Sequence, residues 1–152
     1  EDAIESLMTR ILPRAAVITP NRMEAELLTG ITIRSLGDME SAARLCREKF
    51  GCGSVIKGGH SESGEEAADV CLFGDEPLIL RSPRLNLPEL TTHGTGCTFS
   101  SALAAGVAKG LDLPDAARNA KHFVYASLLG HVRTGADLHS MFPPNLRKGF
   151  AD

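Results

Sequence analysis

Two short apolar runs separated by helical patterns constrain the fold of this chain more than any other feature. Residues 15–19 form a run rich in alanine, valine and isoleucine that Pro20 closes, and residues 54–57 form a second run followed by two glycines. Runs of this length, bounded by proline or glycine, are typical of buried strands. Between them, residues 21–28 and 35–50 carry apolar side chains at helical spacing. Strand, helical crossover and strand predict a parallel βαβ unit and therefore an α/β fold.

Both crossover helices have start and stop signals in the sequence. Asn21 is a favourable helix cap, and Gly30 stands where it can end the same helix. Ser35 and Asp38 have the spacing of a capping box, and Gly51 follows the last apolar position of the second helix. We therefore expect two separate helices in the crossover.

The rest of the chain adds further elements to this unit. Residues 68–73 and 77–81 are strand-like and are joined by a short polar turn, so they predict a hairpin and a mixed sheet. Three more helices are predicted, at residues 3–12, at residues 97–109, and from Pro114 to just before Gly130. Residues 133–152 predict a short helix followed by a loosely held tail.

Composition and charge exclude several classes of protein. With 152 residues and 43% apolar side chains, the chain has the size of one compact domain, residues 1–152, with a real core. Its 16 basic and 19 acidic residues are mixed along the sequence, which disfavours a nucleic-acid partner. No apolar run approaches the roughly 20 residues that span a bilayer, so no membrane segment is expected. The acidic start does not resemble a secretory signal, and the expected location is the cytoplasm.

The four cysteines and five histidines show no metal-binding spacing. Cys46, Cys52 and Cys71 are interpreted as reduced thiols in or near the core. No histidine is given a catalytic role, although His60 and His93 flank the candidate site described next.

A glycine-rich turn, Gly94-Thr95-Gly96, leads into the predicted helix at Cys97. Such a turn exposes several backbone N–H groups to one point, and the helix dipole adds positive potential there, so an anion should bind. During phosphoryl transfer these amides would stabilise the charge on the moving group. Cys97, in the first helical turn, is favoured as a thiolate and is a candidate general base. The structural alternative is a tight turn with Cys97 packed beneath it.

Two further segments indicate phosphate chemistry at the carboxyl ends of the parallel strands, where open α/β sheets bind ligands. Asn21 and Glu24 lie one helical turn apart and could organise a hydrated Mg²⁺ ion. Lys57, followed by Gly58 and Gly59, offers a cation and open backbone to a phosphate. Taken singly, Asn21 is better interpreted as a helix cap, Glu24 as a solvated helix residue and Lys57 as a surface charge, so only their combination indicates a site.

These segments together resemble a known family. The matching residues are Ile18-Thr19-Pro20-Asn21 with Glu24-Ala25-Glu26, Val55-Ile56-Lys57-Gly58-Gly59-His60, Asp69-Val70, and Thr92-His93-Gly94-Thr95-Gly96-Cys97-Thr98. They resemble hydroxymethylpyrimidine/phosphomethylpyrimidine kinase, a thiamine-biosynthesis family of the ribokinase-like superfamily. The resemblance implies a ribokinase-like three-layer αβα fold, here its carboxyl-terminal part, with a mixed, mainly parallel sheet. Most members of the superfamily have aspartate after the turn, whereas the pyrimidine kinases and some pyridoxal kinases have cysteine, as here.

The resemblance also implies roles for individual residues. Cys97 would be the general base, and the amides of Gly94, Thr95, Gly96 and Cys97 would form the anion hole. Asn21 and Glu24 would position hydrated Mg²⁺, and Lys57, Gly58, Gly59 and Asn21 would contact ATP. The substrate would be 4-amino-5-hydroxymethyl-2-methylpyrimidine and then its monophosphate.

Four points stay open in the sequence. A pyridoxal kinase would keep the same turn and cysteine, so the substrate could be pyridoxal. The similarity covers only the carboxyl-terminal part of a typical family member, so the chain could instead be a noncatalytic nucleotide-binding or assembly module. An exposed sheet edge favours a homodimer. Residues 131–152 lack the glycine-rich ending of the family, and their arrangement is expected to differ.

Overall fold

A computed structural model describes residues 3–59, 66–87, 94–135 and 139–144 of the chain. The chain divides into two compact units, Glu1–Arg81 and Ser82–Asp152, and each is described by itself. The single domain expected from the sequence stays a prediction. His60 and His93 lie outside the described residues.

A four-stranded sheet organises the first unit. Its strands stand in the order β1 (Val17–Ile18), β2 (Gly53–Lys57), β3 (Glu66–Leu72) and β4 (Pro77–Pro83). Strands β1 and β2 are parallel, which confirms the predicted βαβ unit, and β2 and β3 are antiparallel. Only four residues separate β3 from β4. Because a parallel pair needs a much longer crossover, these neighbouring strands are antiparallel. The predicted mixed sheet is therefore confirmed. Among the described strands, the parallel pair is β1–β2.

The two crossover helices begin and end where their caps predict. Helix α2 (Arg22–Thr29) is preceded by Asn21, and Gly30 ends it with a φ of 81°. Helix α3 (Leu36–Phe50) begins after the Ser35–Asp38 capping box, and Gly51 ends it with a φ of 71°. Both glycines adopt the left-handed conformation that other residues enter only with strain.

The amino-terminal segment is helical but is not one regular helix. A short α1 (Ala3–Ser6) passes into a π-helical turn, Leu7–Ile11, and then a 3₁₀ turn, Leu12–Arg14. The predicted α-helix over residues 3–12 is therefore corrected to these three pieces. Proline has no N–H to donate, so Pro13 cannot continue the α-helix, but the start of a 3₁₀ turn accepts it.

The core of the first unit lies between the sheet and its helices. Helix α3 buries five side chains on one face: Met39, Ala42, Ala43, Cys46 and Phe50. They pack with buried residues of the strands, among them Ile18, Ile56, Val70 and Leu72. Cys46, Cys52 and Cys71 are buried, as predicted.

The second unit is built on two packed helices, α4 (Thr95–Ala108) and α5 (Leu113–Leu129). A Cβ atom added at Gly106 would lie 3.1 Å from the Ala116 Cβ, so the two helices approach closely at this point. Phe99 and Leu103 of α4 and three alanines of α5 are buried: Ala116, Ala117 and Ala120. Within the described ranges, no helix is both long enough and apolar enough to cross a membrane.

A short hairpin follows α5 in place of the predicted short helix. Strand β5 (Val132–Arg133) pairs antiparallel with β6 (His139–Ser140), and the Phe142 N–H donates to the Ser127 carbonyl of α5 at 3.1 Å. The expectation of a helix from residue 133 is therefore wrong, because the β-branched Val132 and Thr134 favour extended backbone and Gly135 disfavours a helix. Residues 145–152 of the predicted tail lie outside the described residues.

Candidate functional site

The amino end of α4 carries the glycine-rich turn. Gly94 is the cap residue, with a φ of 81°, and as a glycine it provides no side-chain cap. The first helical hydrogen bond runs from the Thr98 N–H to the Gly94 carbonyl at 2.9 Å. The N–H groups of Thr95, Gly96 and Cys97 therefore precede the helical ladder and point away from the helix body. This arrangement has the geometry of an anion-binding helix start.

Cys97 differs from the other cysteines in its surroundings. It lies at the third position of α4 and is exposed, whereas the remaining three are buried. Burial raises the pKa of the Cys46 thiol to about 11 and also raises the pKa of Cys52, so neither favours the reactive thiolate. Of the four thiols, Cys97 is the one that solvent and a substrate can reach. The alternative interpretation, in which it packs beneath the turn, is not what the structure shows.

Asn21 and Glu24 form a complete capping box at the start of α2. The Asn21 Oδ1 accepts from the Glu24 N–H at 2.9 Å, and the Glu24 Oε2 accepts from the Asn21 N–H at 2.8 Å. The helix-cap interpretation of Asn21 is therefore confirmed. The Asn21 Nδ2 and the Glu24 Oε1 have no hydrogen-bond partner within the described part of the chain, so both are available to a ligand.

The carboxyl ends of β1 and β2 bring Asn21 and Lys57 side by side. The Lys57 N–H donates to the Pro20 carbonyl at 2.9 Å, and Asn21 and Lys57 form an isolated parallel bridge. The Lys57 side chain is half-buried, and it forms no ion pair with a carboxylate of the residues that the structure describes. The predicted phosphate-contacting residues of this unit therefore lie at one sheet edge.

The two glycines after Lys57 have different surroundings. Gly58 is buried, and its N–H donates to the Asp69 Oδ1 at 2.9 Å. Gly59 is exposed, and a Cβ atom added there would meet nothing within 4 Å. The space beside Gly59 is therefore uncrowded, whereas the Gly58 amide is buried and bonded to Asp69.

Asp69 is a buried residue beside the candidate site, and the sequence motifs assigned it no role. It is only 4% exposed and pairs across the β2–β3 ladder with Lys57. The available signal was a carboxylate inside a strand whose following residues, Val70 to Leu72, are all buried. Charged residues are rarely buried without partners, so this pattern indicates a specific bond.

The predicted site residues thus fall into two groups. Asn21, Glu24, Lys57, Gly58 and Gly59 lie together at the sheet edge of the first unit. The turn residues and Cys97 lie together at the start of α4 in the second unit. Among the described residues, no three histidine, cysteine, aspartate or glutamate side chains are grouped to hold a metal ion. The ligand-binding roles of both groups stay predictions.

The family model and the sequence relatives that match this chain indicate the same protein family. The family model for phosphomethylpyrimidine kinase matches residues 1–142. The hydroxymethylpyrimidine/phosphomethylpyrimidine kinase of Haemophilus influenzae is 43% identical over 136 residues, which cover 88% of this chain and 50% of that protein. The enzyme of the same name from Streptomyces coelicolor is 42% identical over 136 residues, covering 90% and 49%. This chain therefore spans about half the length of the curated relatives it matches.

Solved structures give the same fold class. An ADP complex of Bacillus subtilis pyridoxal kinase superimposes with a TM-score of 0.85 at 33% identity, covering 94% of this chain and 55% of that one. Phosphomethylpyrimidine kinase from Clostridium difficile superimposes with a TM-score of 0.65 at 28% identity, covering 80% and 46%. The predicted ribokinase-like α/β fold is therefore confirmed.

Proposed function

The chain belongs to the phosphomethylpyrimidine kinase family, and we propose that it forms the nucleotide-binding and base-bearing part of a kinase. The reaction transfers the γ-phosphoryl group of ATP to the hydroxymethyl group of 4-amino-5-hydroxymethyl-2-methylpyrimidine, and then phosphorylates the monophosphate. The observation that carries the proposal is the left-handed Gly94 cap, which leaves the first amides of α4 unbonded to the helix and sets an exposed Cys97 among them.

The turn and Cys97 divide the chemistry of the transfer between them. The Cys97 thiolate takes the proton of the substrate hydroxyl as its oxygen attacks the γ-phosphorus, and the bond to the ADP oxygen breaks. The amides of Gly94, Thr95, Gly96 and Cys97 donate to the transferred group, whose charge spreads over three oxygens. ADP leaves with the negative charge of the broken bond.

The sheet edge supplies the contacts to the nucleotide and its metal. Mg²⁺, when bound, neutralises phosphate charge. The residues present fit a hydrated ion, since the free Glu24 Oε1 can accept from metal-bound water. The Asn21 Nδ2, a donor, suits a phosphate oxygen. The Lys57 ammonium and the open backbone at Gly59 face the same phosphates, while Gly58 contributes through its packing.

Replacement of Cys97 by alanine tests the base. General-base catalysis contributes about 10²–10⁴-fold, so C97A should lower kcat at least about 100-fold and leave ATP affinity largely intact. The measurement is coupled ADP release by the complete gene product with the pyrimidine. Ser101→Ala, an exposed position one turn later on α4, is the matched control and should keep wild-type turnover. Undiminished turnover in C97A would remove the base assignment.

Pyridoxal kinase is the second candidate, favoured by the higher TM-score with the Bacillus subtilis enzyme. The names of the sequence relatives favour the pyrimidine instead. Parallel assays with pyridoxal and the pyrimidine separate the two by their kcat/KM values. If the 152-residue chain binds nucleotide but the complete gene product releases no ADP with either alcohol, the noncatalytic module is the better description.

A further inference from the structure

Asp69 is a buried carboxylate that the proposed chemistry has not yet used. It is 4% exposed in a strand whose next three residues are also buried, so an apolar residue would satisfy the packing of this position. Taking a carboxylate out of water costs free energy unless hydrogen bonds compensate for it. The position therefore calls for an explanation beyond packing.

The bonds of Asp69 lead to the phosphate-contacting segment. Its Oδ1 accepts from the Gly58 N–H at 2.9 Å, a bond between a charged acceptor and a buried amide. In the antiparallel ladder Asp69 stands directly opposite Lys57, so the two side chains share a face of the sheet. The carboxylate thus holds the chain immediately after the last residue of β2.

The opposite side of the same segment is fixed by β1. The Lys57 N–H donates to Pro20, next to Asn21. Gly58 has no free space, because an added Cβ would lie 2.3 Å from the Ala68 carbonyl oxygen and 2.9 Å from the Met39 Cε. The backbone of residues 57–58 is therefore held from both neighbouring strands, whereas Gly59 is exposed.

We infer that Asp69 is a positioning residue for nucleotide binding: its carboxylate, through Gly58, fixes the backbone of residues 57–58 and so sets the direction in which the Lys57 ammonium is offered to the phosphates. This inference rests on the proposed function. Asp69 does not contact the nucleotide, and it affects the ATP side of the reaction rather than the alcohol side.

Two substitutions separate the parts of this role. Asp69→Asn keeps an oxygen acceptor for the Gly58 N–H and removes the charge, and Asp69→Leu removes the acceptor while keeping the same side-chain branching. Glu66→Gln is the matched control, because Glu66 lies on the same strand but is exposed and paired with Arg81 at 2.9 Å. Steady-state kinetics on the complete gene product give the KM for ATP, the KM for the alcohol and kcat, and circular dichroism gives the melting temperature.

We expect D69L to raise the KM for ATP at least tenfold, a factor equal to about 1.4 kcal/mol. D69N should raise it about threefold, since a neutral acceptor bonds more weakly than a charged one. The KM for the alcohol should stay within about twofold of wild type in both, and E66Q should match wild type throughout.

A lower melting temperature with an unchanged KM for ATP in both variants would reduce Asp69 to a structural residue and overturn the inference. Equal increases in both KM values would do the same. Should D69L fail to fold, D69N decides, and a wild-type KM for ATP in D69N would refute the role of the carboxylate. Absence of ATP turnover in the wild-type protein would instead refute the proposed function itself, and this inference with it.

Discussion

Gly58 and Gly59 are neighbours in sequence that should respond in opposite ways to alanine. At position 58 a Cβ atom would lie 2.3 Å from the Ala68 carbonyl oxygen, well inside contact distance, and 2.9 Å from the Met39 methyl. The methyl group can move, but the carbonyl belongs to a strand of the sheet and cannot move without disturbing β3. Overpacking of this kind costs about 1–3 kcal/mol.

At position 59 the same methyl group meets no atom within 4 Å, and the backbone is not in the left-handed region. The expected stability change for Gly59→Ala is therefore within about 0.5 kcal/mol. Its cost should appear in binding, because a side chain at an open backbone hinders the approach of a phosphate.

Thermal unfolding, monitored by circular dichroism, measures the difference in stability between the Gly58→Ala and Gly59→Ala variants. For a chain of this size 1 kcal/mol corresponds to about 2–4 °C, so G58A should melt about 2–12 °C below wild type and G59A within about 2 °C of it. Titration with ATP should then show weaker binding by G59A at a temperature where it is folded. Equal melting temperatures for the two variants would contradict the packing argument, and wild-type ATP affinity in G59A would contradict the open-backbone argument.

Two further predictions concern stability away from the site. Because burial raises the Cys46 pKa to about 11 from an ordinary value of 9.0, folding keeps the thiol protonated, and stability should fall as pH rises from about 9 to 11, by up to about 2–3 kcal/mol. Urea unfolding of wild type and Cys46→Ala in reductant checks this, since the variant should lose less stability over that range; equal losses would exclude Cys46 as the cause. Gly106→Val should destabilise the protein by about 1–3 kcal/mol more than Ala105→Val, because a Cβ added at Gly106 would already lie 3.1 Å from the Ala116 Cβ, whereas Ala105 is exposed. Equal melting temperatures would show that the α4–α5 contact tolerates the added side chain.

The parts of the fold that follow from local chemistry could be predicted almost to the residue. The helices α2 and α3 begin directly after Asn21 and Ser35 because each cap is satisfied by a residue three positions later. The ends of both helices could also be predicted, because Gly30 and Gly51 adopt the left-handed conformation that ends a helix. In each case every atom that matters lies within one helical turn.

The predictions that were wrong or missing concern contacts between residues distant in sequence, or a choice between helix types of similar backbone conformation. The hairpin after α5 is held by the bond from Phe142 to Ser127, and no local pattern announces that bond. The amino-terminal segment differs from an α-helix only in its hydrogen-bond pattern, because its π-helical and 3₁₀ turns pair each N–H with a different carbonyl. The spacing of apolar residues cannot distinguish these patterns. The link between Gly58 and Asp69 spans eleven residues and two strands, so motif spacing alone could not reveal it.

The sequence offered two interpretations of Asn21 and Glu24, a helix cap and a magnesium site. The cap leaves a carboxylate oxygen on Glu24 that suits hydrated Mg²⁺, whereas it leaves Asn21 an amide donor that suits a phosphate oxygen instead. A capping box uses one oxygen of the asparagine and one oxygen of the glutamate. It leaves an amide donor on Asn21 and a carboxylate oxygen on Glu24, and it limits the rotation of both side chains before any ligand arrives. A ligand that needs one donor and one acceptor at this sheet edge would then lose less side-chain entropy on binding. The capping box would thus preorganise the proposed site. The spacing of three residues between Asn21 and Glu24 would then contribute both to folding and to ligand binding.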